Sequence, residues 1–160
     1  LRLSELDAST EVPMEEIDLY ELAEKCVSML QISAEKQNVT LMLTGKPTRM
    51  QANREMMEEL LYNLVSNAIR YNRPYGNVVV SVSREDDHVD LAVEDTGIGI
   101  SQADQGRIFE RFYRVDKSRS KSTGGTGLGL AIVKHVVQCH GAKLDLKSQL
   151  GSGTRIEIKF

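Results

Sequence analysis

Apolar residues recur between residues 57 and 69 at a spacing that only a helix satisfies. Met57, Leu60, Leu61, Leu64, Val65, Ala68 and Ile69 fall at i, i+3, i+4, i+7, i+8, i+11 and i+12. Such a stripe covers one face of a 3.6-residue period and is built to lie on a core. The predicted helix runs from Asn53 to about Tyr71. Asn53 is its N-cap, Glu55 sits in the first turn, and Asn72-Arg73-Pro74-Tyr75-Gly76-Asn77 ends it. A second helix is predicted from Asp18, its N-cap, to about Gln37, with its apolar face through Leu19, Leu22, Ala23, Cys26, Met29, Leu30 and Ser33. Gly127 to His140 reads as a third helix, apolar on most sides and so largely buried, closed by Gly141 in a left-handed conformation.

Elsewhere the pattern belongs to strands and turns. Val39–Leu43 reads as a strand ended by Thr44-Gly45-Lys46-Pro47, and a short strand is expected around Arg49–Ala52. Val78–Ser83 and His88–Glu94 form a pair around the acidic turn Glu85-Asp86-Asp87. Ala142–Ser148 and Thr154–Phe160 form a last hairpin around Gly151-Ser152-Gly153. Leu1 to Ser9 resembles the last turns of a helix, Ser9 to Pro13 a linker, and Ser101 to Gly124 an aperiodic, mobile loop. Hairpins mixed with crossovers favour a two-layer α/β (α+β) sandwich over a doubly wound parallel sheet.

Composition narrows this further. A chain of 160 residues, 41% hydrophobic and 27% charged, is one ordinary domain with a real core. With no Trp and 5% aromatic residues, that core is aliphatic. No apolar run approaches the roughly 18 residues that cross a bilayer. The start at Leu1, without a leader, reads as a piece of a longer protein. Cys26 and Cys139 lack metal-ligand spacing and read as reduced, buried thiols. A net charge of −3 excludes the usual nucleic-acid binder. The charge is uneven: residues 1–24 hold eight acids against one base, and residues 101–126 six bases against three acids. A basic segment of that kind draws in a polyanion, or simply keeps a loop solvated.

Three elements carry candidate chemistry. Asn63 and Asn67 stand 40° apart on the helical wheel and flank the apolar stripe, with Glu59 and Arg70 near the same edge. Asn costs about 0.6 kcal/mol relative to Ala inside a helix, so two on one edge, followed by Arg70 and Tyr71, suggest use. An amide oxygen suits Mg²⁺, which shares its shell with waters and phosphates, and adds no negative charge beside a triphosphate. Arg70 can take a phosphate oxygen, and Tyr71 can cover a base or pack in the core. Asp95 opens the turn Asp95-Thr96-Gly97-Ile98-Gly99-Ile100. An ionised carboxylate only accepts, so it matches the exocyclic amine of adenine and opposes the oxygen of guanine. Gly97 and Gly99 would permit positive φ and close backbone approach to the ring. Gly125-Thr126-Gly127-Leu128-Gly129-Leu130 opens a helix, a place suited to anions, yet lacks the Gly-Lys-Ser/Thr of a Walker loop and the third glycine of a dinucleotide turn. His88 starts a strand, while His135 and His140 stand at a helix end where positive charge is favoured; none fits a catalytic or zinc pattern.

In this order and spacing, the residues resemble the catalytic and ATP-binding domain of bacterial sensor histidine kinases, a Bergerat-fold ATPase. Asn63 to Tyr71 is similar to the family's N box, and Asp95-Thr96-Gly97-Ile98-Gly99 to its G1 box. Ile108-Phe109-Glu110-Arg111-Phe112-Tyr113-Arg114 resembles the F box, Gly125 to Leu130 the G2 box, and Gly151-Ser152-Gly153-Thr154 the last glycine element. The resemblance implies a mixed, mainly antiparallel sheet of about five strands on three helices, with a flexible ATP lid over about 101–126. It divides the chain into 1–14, the tail of a dimerisation helix with its linker, and 15–160, the catalytic domain.

By motif position the resemblance implies Mg²⁺ on Asn67 with Asn63 assisting, Arg70 on phosphate, Tyr71 on adenine, and Asp95 on the adenine amine with Thr154 in support. Arg114, Asn63 and Arg70 take the catalytic roles, with Arg114 at the γ-phosphoryl group. Gly97, Ile98, Gly99, Ile100, Tyr113, Lys117, Gly125, Thr126, Gly127, Leu128, Gly129 and Leu130 complete the nucleotide contacts. Phe109, Phe112 and Tyr113 are expected to grip a neighbouring dimerisation and histidine-phosphotransfer domain, and a response regulator is the onward partner. The family's phosphoacceptor signature, a histidine followed by an acid, is absent from these residues. The chain is therefore expected to bind Mg-ATP without phosphorylating itself, and to be a cytoplasmic monomer, with no direct membrane contact, from a homodimeric parent anchored in the bacterial inner membrane. Two alternatives stay open: a nucleotide-binding scaffold without transfer, and a hydrolytic ATPase of the gyrase or heat-shock chaperone type, against which Asn63 stands where those enzymes carry a hydrolytic Glu.

Overall fold

A computed structural model describes residues 11–115 and 129–160. The helix tail expected over Leu1–Ser9 and the start of the third helix at Gly127 lie outside the described residues. Five strands form one sheet: β2 (Thr40–Gly45), β4 (Asn77–Arg84), β5 (Val89–Asp95), β6 (Lys143–Gln149) and β7 (Gly153–Lys159), in the order β2-β4-β5-β7-β6. Only β2 and β4 run parallel; the other neighbours are antiparallel. β1 (Glu15–Asp18) and β3 (Arg49–Ala52) form a separate antiparallel pair. Helices α1 (Leu19–Lys36), α2 (Arg54–Arg70) and α4 (Gly129–Cys139) form the second layer, and α3 (Gln102–Gln105) is a single short turn. The expected two-layer sandwich, mixed and mainly antiparallel, is what the chain forms.

α2 lies centrally, against α1 on one side and α4 on the other. Its predicted stripe is buried throughout, joined by Met56. Opposite it stand Val78, Val80 and Val82 of β4, Leu91 and Val93 of β5, and Ile156 and Ile158 of β7, all buried. Alternate residues leave Glu94 paired to Arg155 on the outer face at 3.0 Å. Burying a stripe and one sheet face in this way is the main source of the fold's stability.

In α1 the sequence reading needs two corrections. Met29 is 61% exposed and Ser33 is exposed, while Val27 and Ala34 are buried instead. The C-terminal half of α1 turns the side bearing positions 27, 30 and 34 toward the core, where β2 lies. β1 was not expected at all: of its four residues only Ile17 is buried, so no alternation marks it. Its last residue, Asp18, ties two elements together. The Asp18 carboxylate accepts from Tyr20 N at 3.0 Å as N-cap, and from Thr48 N at 2.9 Å across the β2–β3 turn.

The N-terminus of α2 is held similarly. Asn53 Oδ1 accepts from Met56 N at 3.0 Å, while Asn53 N donates to His140 Nε2 at 3.0 Å. His140 Nδ1 stands 2.7 Å from Val136 O, a carbonyl that can only accept. The His140 ring thus joins the start of α2 to the end of α4.

Candidate functional site

A cavity of about 450 Å³ opens between α2, the ends of β5 and β7, the segment after β5, and the N-terminal end of α4. That volume lies within the range of small-molecule sites. Each wall is set by a different element.

The α2 wall presents Asn63, Asn67, Arg70 and Tyr71, which repeat at helical spacing beside the buried stripe. Asn63 Nδ2 donates to Glu59 O at 2.8 Å, which fixes the amide. Its Oδ1 faces α4: a Cβ on Gly129 would stand 2.9 Å from it, and 3.6 Å from Asn67 Nδ2. Glycine at 129 lets the start of α4 approach the two amides. Leu130 follows on the same wall. Tyr62 and Ser66 also line the cavity and went unread in the sequence, although both sit within one turn of Asn63. Tyr71, 38% exposed, caps α2 and faces the cavity; it is not a core residue.

The second wall begins at Asp95, the last residue of β5. Gly97 N donates to its Oδ1 at 2.8 Å. Burial pushes the Asp95 carboxyl above its ordinary value, and the backbone N–H groups of Gly97 and Thr154 oppose that shift without cancelling it. Ile98, Gly99, Ile100 and Thr154 also line the cavity, over an apolar floor of Val93, Ile108 and Ile156. Gly97 stands behind Asp95: a Cβ there would meet Tyr71 O at 2.4 Å. Gly99 has φ +70° and a Cβ position 2.1 Å from Gln149 O, so no side chain fits.

This turn is clamped from outside. Arg73 Nη2 donates to Gly97 O at 2.9 Å and to Gly151 O at 2.6 Å. Ile98 N donates to Tyr71 O, and Gly151 N to Ile98 O at 2.7 Å. The helix end, the turn and the β6–β7 hairpin thus form one rigid frame. Nothing in the sequence marked Arg73, because both its partners are distant main-chain carbonyls.

At the mouth stand Tyr113, Arg114 and Val115. The Tyr113 hydroxyl donates to the Asp104 carboxylate, and the Arg107 guanidinium lies 4.4 Å over its ring. Phe109 and Phe112 do not line the cavity; Phe112 is 59% exposed with φ +63°. Lys117, Gly125, Thr126, Gly127 and Leu128 lie outside the described residues. Among the described residues no cluster of three His, Cys, Asp or Glu could hold a metal, and no helix is long and apolar enough to cross a membrane. The arrangement therefore offers a largely apolar cavity whose lining also carries a half-buried acid, two amides and two arginines.

The family model described as histidine kinase-, DNA gyrase B-, and HSP90-like ATPase matches residues 52–160. The sensor-like histidine kinase SenX3 of Mycolicibacterium smegmatis is 40% identical over 163 residues, covering 100% of this chain and 42% of the relative. The sensor histidine kinase YkoH of Bacillus subtilis is 35% identical over 160 residues, covering 100% of this chain and 35% of the relative. The chain thus spans about two fifths or less of the length of these curated relatives. Among solved structures, a mycobacterial sensor histidine kinase, MprB, superposes with a TM-score of 0.80 at 27% identity, over 92% of this chain and 97% of that one. Full-length ShkA in complex with AMPPNP gives 0.82 at 25% identity, over 98% of this chain and 33% of that one. The chain belongs to the histidine kinase-, DNA gyrase B-, and HSP90-like ATPases, as an ATP-binding catalytic domain of the sensor histidine kinase kind.

Proposed function

We propose that the cavity binds Mg-ATP and presents its γ-phosphoryl group to a histidine on a separate dimerisation domain, for onward transfer to a response regulator. The observation that carries this is that one cavity is lined by Asp95, a half-buried acceptor, together with the Asn63–Asn67 edge, Arg70 and Arg114. ShkA, solved with an ATP analogue, gives the ligand class independent support.

In this reading the adenine ring lies in the cavity against Tyr71, Ile98 and Ile156, and its exocyclic amine donates to Asp95, with Thr154 beside it. The amide oxygens of Asn63 and Asn67 suit Mg²⁺: they are hard and neutral, and the remaining positions of the shell fall to phosphates and water. The ion, when bound, neutralises phosphate charge. Arg70 binds a phosphate oxygen, and Arg114 meets the charge that develops on the γ-phosphoryl group. Lys117 and the glycines from Gly125 to Gly127, with Leu128, complete the phosphate side. A nitrogen of the acceptor imidazole takes the phosphoryl group, and ADP leaves.

None of the chain's histidines suits the acceptor role. His88 is held by Asp87, His135 touches Cys139, and His140 is engaged at both nitrogens; none lines the cavity. The exposed Phe112, in a strained backbone conformation, supports docking of a partner domain there, together with Phe109 and Tyr113 of the same segment. The partner is the dimerisation domain of a homodimeric, membrane-anchored parent, to which residues 1–14 lead. Incubating the chain and a separately prepared dimerisation domain with γ-labelled ATP and Mg²⁺ tests the proposal. Acid-labile label is expected on the added domain and none on the chain. Label retained by the chain itself, or release of phosphate with no labelled protein, contradicts it.

A further inference from the structure

We infer that Ser148 is a positioning residue for base selection: its hydroxyl holds the proton of Thr154 away from the cavity, so that Thr154 and Asp95 present acceptors alone. The inference rests on the adenine assignment made above. Ser148, Thr154 and Asp95 form one row across three strands, since Ser148 pairs with Thr154 and Thr154 with Asp95. Ser148 is on the far strand and does not line the cavity; Thr154 and Asp95 do.

The argument is a count of protons and lone pairs. A hydroxyl has one proton and two lone pairs. Ile100 N donates to Ser148 Oγ at 2.8 Å and fills the first lone pair. Gly153 O lies 3.0 Å from Ser148 Oγ and can only accept, so it takes the Ser148 proton. Thr154 Oγ1 lies 2.8 Å from Ser148 Oγ. The arrangement that satisfies all three contacts at once has Thr154 donating into the second lone pair, since the reverse would set a Ser148 lone pair against Gly153 O at 3.0 Å. The Thr154 proton is used within the row, and only its lone pairs are left for a ligand. Asp95, when ionised, also has nothing but acceptors.

The two groups therefore match a base edge that carries an N–H₂ group. An oxygen at the same place meets acceptors from both. With Ser148 removed, the Thr154 hydroxyl is free to rotate and donate to such an oxygen. Ser148 acts on the ligand only through Thr154, and it also anchors the Asp95–Ile100 turn through the Ile100 amide.

The test compares Mg²⁺-dependent binding of ATP with that of ITP, which carries oxygen where ATP carries the exocyclic amine. Ser148→Ala is expected to reduce the preference for ATP on the order of tenfold. Ser148→Thr, which keeps the hydroxyl, retains the preference. Thr154→Val lowers it as well, and adding Ser148→Ala to Thr154→Val lowers it no further. If Ser148→Ala does not fold, Ser148→Cys, with its weak donor and acceptor, gives the same readout. Equal weakening of ATP and ITP, or full additivity with Thr154→Val, overturns the inference. Asp95→Asn separates the two levels. If Asp95→Asn loses the preference while Ser148→Ala keeps it, Ser148 is excluded and the adenine assignment stands. If Asp95→Asn keeps it too, the adenine assignment itself fails.

Discussion

Asp95 sits where burial disfavours its charge, and ligand recognition needs that charge. The sign of the resulting pH dependence follows. Its folded pKa lies above the unfolded one, so its contribution to stability is present below the ordinary carboxylate range and is lost as pH rises through the raised value. Binding runs the other way, because a protonated Asp95 no longer offers two acceptor oxygens to the amine. We expect the wild-type domain to lose ATP affinity as pH falls through that raised value. Asp95→Asn should melt higher than wild type at neutral pH, bind ATP more weakly, and show neither dependence. Melting curves and ATP titrations across pH check both; a lower melting temperature in the variant, or an unaltered pH profile of binding, counts against the account. Residues of this kind were legible in the sequence because their type is costly where it stands: paired asparagines in a helix, an acid at a strand end. Ser148 and Arg73 were not, because a serine in a strand and an arginine in a turn are ordinary. What they do depends on partners such as Gly151, 78 positions away from Arg73.

The helices were the easiest elements to read, and α2 most of all, since a long stripe at one period has few other uses. β1 was illegible because a four-residue edge strand with one buried side chain has no period. The rotated face of α1 is a tertiary effect: Met29 and Val27 are equally apolar, and only the position of its packing partners decides which is covered. The glycines of the Asp95 turn read as permitting positive φ and approach to the ring; Gly99 has the positive φ and Gly97 does not, and the close approaches are to the Gln149 and Tyr71 carbonyls. Gly99→Ala places a Cβ into that backbone at a left-handed φ and should destabilise the domain by about 2 kcal/mol or more, with a parallel loss of ATP binding. Chemical denaturation measures it. A variant as stable as wild type would show that the turn is free to move and that the frame built by Arg73 and the β6–β7 hairpin is not rigid.

At the scale of the molecule, the sandwich is an arrangement for bringing one helix edge and two strand ends to one cavity. α2 supplies amides and cations, β5 the acid, β7 the supporting hydroxyl, and α4 a glycine that fits against the amides. Hairpins mixed with one parallel crossover were enough to predict this class of fold from sequence. The convergence of walls as far apart in sequence as Asn63 and Thr154 was available only through the order of the motifs. The central claim is that these walls hold Mg-ATP, with the metal on the asparagine edge. Calorimetric titration of the chain with ATP, in Mg²⁺ and then in excess chelator, tests it most directly. The account predicts one site per chain whose affinity falls at least about tenfold on chelation, and an Asn67→Asp variant whose affinity in Mg²⁺ is also reduced, as a carboxylate brings negative charge next to the triphosphate. Equal affinity with and without the ion, or an Asn67→Asp variant that binds as wild type does, would contradict it.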